Sequence, residues 1–62
     1  MFNRVLELKE FIEGLGYSVK ECVHTGTAPG VKIENGLGME KFIPLSCSED
    51  EVERRVKEFM KM

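Results

Sequence analysis

Apolar residues recur along this chain with two different periods, and the changes of period divide it into five segments. Val5, Leu8, Phe11, Ile12 and Leu15 fall within one arc of about 120° on a 100° helical wheel, while Glu7, Lys9, Glu10 and Glu13 lie outside it. That spacing predicts a helix over 3–15 with Asn3 as its N-cap. Arg4 lies inside the arc but in the first turn, where it reaches past the end of the core. Gly16 at C′, with Tyr17 at C″ facing Ile12, is the pattern of a Schellman stop.

From Tyr17 the period drops to two. Tyr17, Val19 and Val23 share one parity and Ser18, Lys20, Cys22 and His24 the other, which predicts a half-buried strand over 17–24 with Glu21 as an intruder on its inner face. Thr25 to Gly30 reads as a loop in which Pro29-Gly30 suits the centre of a type II turn. A second strand follows over 31–33. Asn35-Gly36 marks a hairpin, and a two-residue turn there would put Leu37 and Met39 on the face opposite Val31 and Ile33. A three-residue loop over 34–36, with Gly36 left-handed, pairs Ile33 with Leu37 and Val31 with Met39, and it is the expected connection. The third strand then runs from Leu37 to about Ile43, Pro44 ends it, and Phe42 points away from Leu37, Met39 and Ile43.

Ser48 followed by Glu51 forms a capping box, with Cys47 and Val52 as the apolar staple around it. Val52, Val56, Phe59 and Met60 supply the buried stripe of a second helix. The order helix, three strands, helix predicts a two-layer α+β domain over 1–62, with an antiparallel sheet and both helices on one face.

Composition adjusts this picture in a few places. The chain has 62 residues, 42% hydrophobic and 32% charged, which is enough apolar content for one core and argues against disorder. A domain this small buries only about 60% of its unfolded surface, so self-association would help it. Gln and Trp are absent, Asn3 and Asn35 are the only side-chain amides, and Glu and Lys dominate the charges, a lean towards thermophiles. The formal net charge of −2 lacks the basic excess of a nucleic-acid binder. No apolar run nears the ~18 residues of a membrane span, and charges interrupt any signal core, so a cytoplasmic protein without membrane contact is expected. Cys22 and Cys47 are expected to be free thiols there.

Candidate chemistry is sparse. Cys22 and His24 would share a strand face, but residues two apart lie about 6.6 Å from each other by rise, beyond a direct hydrogen bond. With Cys47 they offer three ligands where a structural zinc takes four. The Thr25 to Gly30 loop is small enough for phosphate to approach but opens a strand and lacks a helix dipole. The second helix runs from Glu49, Asp50 and Glu51 to Arg54, Arg55, Lys57 and Lys61, an order that complements its dipole and predicts the i,i+4 pairs Asp50 with Arg54, Glu51 with Arg55 and Glu53 with Lys57. An uncovered sheet face carrying Ser18, Lys20, Cys22, His24, Lys32, Glu40 and Phe42 is a natural place for association.

The layout resembles the double-stranded-RNA-binding domain, a likeness that implies a groove-entering loop between the first two strands and a basic start to the second helix. Here that start is Ser48-Glu49-Asp50-Glu51. Gly16-Tyr17 after the first helix and Pro44 closing the third strand resemble the HicA-type ribonuclease toxins, which would imply a catalytic histidine early in the sheet. Those toxins carry it in a Gly-Ser-His run, where this chain has His24-Thr25-Gly26. The reading that takes in the most residues is a non-enzymatic binding or assembly module without cofactor or metal. Its partner is a second copy, as a dimer, or another protein, and its candidate binding residues are His24, Thr25, Thr27, Lys32 and Phe42. RNA binding, or a HicA-like ribonuclease using His24, is the alternative.

Overall fold

The computed structural model describes residues 2–24, 26 and 28–61. Helix α1 spans Val5–Gly14, strand β1 Glu21–Val23, β2 Gly30–Glu34, β3 Glu40–Pro44, and helix α2 Glu49–Met60. The strands make one antiparallel sheet in the order β1-β2-β3, so the α+β layout expected from the sequence is the observed one. Among the described residues no helix is long and apolar enough to cross a membrane.

The core is a single cluster. Val5, Leu8 and Ile12 of α1 and Val52, Val56 and Phe59 of α2 close over Val31, Ile33 and Ile43 of the sheet, all of them buried. Register places Val31 opposite Ile43 and Ile33 opposite Lys41, so the buried sheet residues share one face and both helices lie on it. Burying an aliphatic side chain of this size contributes about 1.5–3 kcal/mol, which makes this cluster the main attraction between helices and sheet.

Both helix ends are set by local chemistry. At the end of α1, Gly16 adopts φ 98° while Tyr17 donates its N–H to the Ile12 carbonyl (3.4 Å) and Gly16 to that of Glu13 (3.0 Å), the two bonds of the Schellman stop. Its start differs from expectation, because Arg4, not Asn3, is the N-cap. Glu7 reaches back to accept the Asn3 N–H at 3.0 Å, so a carboxylate does the work of a capping side chain at the positive end of the helix. Helix α2 starts as expected, with Ser48 Oγ accepting the Glu51 N–H (3.2 Å) and Cys47 packed against the cluster that holds Val52.

The strands depart from the sequence pattern in three ways. First, β1 is shorter than 17–24 and its phase is inverted: Cys22 pairs with Val31 and faces the core, while Glu21 and Val23 face outward. Val19 also packs on the core, so the alternation breaks between the two. The break is bulge-like, since Lys20 donates its N–H to the Lys32 carbonyl (2.8 Å) while Glu21 is the register partner of Lys32. Two residues oppose one, and both charged side chains turn outward. Glu21 is therefore no intruder. Second, Gly30 lies outside the positive-φ glycines and begins β2, so it does not form the left-handed centre of a type II turn.

Third, the hairpin loop lies two residues further along than expected. Glu34 pairs with Glu40, Asn35 donates its N–H to the Met39 carbonyl (3.0 Å), and Gly38 donates to that of Asn35 (3.0 Å). The loop is Gly36-Leu37-Gly38, still three residues, and the left-handed glycine is Gly38 at φ 81°. Leu37 and Met39 consequently leave the sheet and stand 67% and 46% exposed. Asn35 decides the register. It is 6% exposed; its Oδ1 accepts the N–H groups of Leu37 and Met39, both at 3.0 Å, and its Nδ2 donates to the Phe59 carbonyl at the end of α2 (3.3 Å). A loop over 34–36 would make Asn35 a solvent-facing turn residue and forfeit these bonds.

Candidate functional site

The sheet face away from the helices carries Glu21 and Val23 from β1, Gly30, Lys32 and Glu34 from β2, and Glu40, Phe42 and Pro44 from β3. Glu34 and Glu40 are direct cross-strand neighbours, an arrangement that repels unless a cation intervenes. Lys20 is that cation: its Nζ lies 3.3 Å from Glu34 Oε2 and also bonds Glu40. Hydrogen bonding to Glu40, then to Glu34, raises the Lys20 pKa, and the same bond to Lys20 lowers that of Glu40. The Glu40 contribution to stability is therefore present above the ordinary carboxylate range and lost as pH falls through its depressed value. Lys20→Ala should move the Glu40 carboxyl midpoint upward towards the ordinary glutamate value of about 4.3, which carboxyl-detected NMR titration reads.

The sequence-derived candidates are dispersed. Lys32 is half-buried on this face, with Nζ 3.7 Å from Glu21 Oε1. Phe42 is its register partner on the expected face but is half-buried, because its ring lies over Gly30. His24 is exposed beyond the end of β1, away from any pairing with Cys22, which packs on the core. Thr25 and Thr27 lie outside the described residues. Among the described residues, no three His, Cys, Asp or Glu side chains gather as metal ligands would.

The cations of α2 are engaged by their own helix. Arg54 and Arg55 both reach Glu51, the latter at 3.2 Å, and Lys57 lies 2.7 Å from Glu53. Arg54 was expected to pair with Asp50 and pairs one residue later instead.

The feature that sequence reasoning missed is the outer edge of β3. Antiparallel pairing alternates, and because Asn35 bonds Met39 and Leu45 donates to the Pro29 carbonyl (3.1 Å), the odd-numbered residues of β3 bond inward to β2. Glu40 and Phe42 therefore direct their N–H and C=O groups outward, and Pro44 directs out a carbonyl with no N–H. Among the described residues β3 has no strand on that side. Leu45 beyond it accepts the Phe2 N–H (3.3 Å). Exposed Leu37 and Met39 stand at the other end. Two glycines, Gly36 and Gly38, bracket the loop in the sequence, and the second of them could have revealed the register.

No family model, curated protein or solved structure matches this chain.

Proposed function

We propose that this chain is a non-enzymatic assembly module that associates with a second copy of itself through the uncovered side of its sheet. The observation that carries this reading is the outer edge of β3, where the backbone groups of Glu40 and Phe42 point away from β2 beside two exposed apolar side chains, Leu37 and Met39. Unpaired strand edges recruit strands, and natural proteins that stay monomeric blunt them. Glu40, Lys41 and Pro44 are the charged and proline residues on this one, and of these Glu40 is neutralised by Lys20 while the Lys41 Nζ lies 6.0 Å from the Phe59 ring centroid. RNA binding has less support, because Lys20, Lys32, Arg54, Arg55 and Lys57 are each held by a carboxylate. Sedimentation velocity over a concentration series should show the 7.1 kDa chain passing to a species of twice that mass. A single monomer boundary up to millimolar concentration would refute self-association.

A further inference from the structure

Resting on that reading, we infer that two copies join their β3 strands antiparallel about Phe42, making one continuous sheet across the pair. Of the registers open to this edge, the three centred nearest its middle pair the most residues, and residue chemistry separates them. Centring on Lys41 sets Lys41 directly opposite the partner's Lys41, like charges at the closest cross-strand spacing. Centring on Ile43 opposes Phe42 to the partner's Pro44, which has no N–H to return. Centring on Phe42 lets the two Phe42 residues exchange both backbone bonds, while each Glu40 N–H meets the partner's Pro44 carbonyl and each Glu40 carbonyl is left to solvent; that makes four bonds between the strands, against two in the Ile43-centred register.

The side chains agree with the Phe42-centred register. Glu40 then stands across from the partner's Pro44 and Lys41 from the partner's Ile43, with no like charges in direct opposition. Met39, 46% exposed in the single chain, comes opposite the partner's Leu45, a half-buried residue at the margin of the core cluster. The pairing thus covers an apolar side chain that the isolated fold leaves in water. A slip by one residue loses the Met39 to Leu45 contact and restores one of the conflicts above.

The test is an NMR experiment on the native chain at a concentration where sedimentation gives the dimer, with labelled and unlabelled protein mixed. In this register Lys41 and the partner's Ile43 form a close non-hydrogen-bonded pair, Cα atoms about 4.5 Å apart, and an intermolecular Hα–Hα contact between them is expected. Met39→Lys, a change at an exposed site, should raise the dimer dissociation constant about tenfold by removing the apolar contact, with an unchanged monomer amide spectrum. A dimer that lacks the Lys41 to Ile43 contact, or whose dissociation constant ignores Met39→Lys, overturns the Phe42-centred register while self-association stands. A chain that is monomeric throughout overturns both.

Discussion

Asn35→Asp should cost the fold about 3 kcal/mol at neutral pH, with the loss shrinking in acid. The change is nearly isosteric, and one carboxylate oxygen can still accept the Leu37 and Met39 N–H groups that Asn35 Oδ1 accepts. The other oxygen replaces an N–H donor facing the Phe59 carbonyl, so a buried negative charge meets the carbonyl end of α2. That environment raises the carboxyl pKa in the folded state above its unfolded value of about 3.9. The folded variant then binds more protons than the unfolded chain, and its stability relative to the native sequence rises as pH falls through the folded pKa. Protonated, the acid can donate to Phe59 again. Asn35→Ala loses all three bonds and should be destabilised by about 2–3 kcal/mol with no such recovery. Denaturant melts of both variants and the native chain at neutral and acidic pH read the difference. Equal losses at both pH values for Asp would show that the Phe59 bond does not hold the turn.

Gly30→Ala is the second large effect, an expected loss of about 2–3 kcal/mol through overpacking. A Cβ at this position would run into the Ile43 carbonyl and stand 2.7 Å from Phe42 Cζ and 2.9 Å from Pro44 Cα. Gly30 is buried and pairs with Pro44, so two of the obstructing groups are backbone and cannot step aside. The Phe42 ring could, but Phe42→Leu added to Gly30→Ala should recover little, since the carbonyl clash remains. Thermal melts of the single and double variants check this, and full recovery in the double variant would place the clash in the ring alone. The same contact explains why Phe42, on an otherwise uncovered face, is half-buried: its ring takes the space that a side chain at Gly30 would fill.

These two residues also mark where the sequence stopped being legible. Helical features were readable because their causes lie within four or five residues. The Gly16 stop, the Ser48 cap and the Val52, Val56, Phe59 stripe depend only on neighbours along the chain. Strand phase depends on partners far away. The bulge-like step at Lys20 and Glu21 inverts the face of Cys22, and its one local mark, Glu21 in the alternation of Tyr17, Val19 and Val23, reads equally well as a charged intruder on an unbroken strand. The hairpin slid because Asn35 finds its donor's partner at Phe59 in the second helix, a contact that no turn statistic contains.

The candidate site was legible to the same extent. Shifting the loop by two residues moved each strand by an even step, so Phe42 and Lys32 kept their predicted face while Leu37 and Met39 changed from core to surface. Which backbone groups of β3 point outward follows from the register alone, and the edge could not be seen until Glu34 was known to pair with Glu40. Lys20 shows the same dependence, since its place between Glu34 and Glu40 requires both the bulge and the corrected hairpin.

Assembly through the β3 edge is tested most directly by amide hydrogen exchange at Glu40 and Phe42, followed from dilute to concentrated protein. Both amides should exchange freely in dilute solution and become protected as concentration rises, while those of exposed residues away from the edge, such as Ser18 and His24, stay unchanged. Free exchange at Glu40 and Phe42 at every concentration would contradict assembly through this edge.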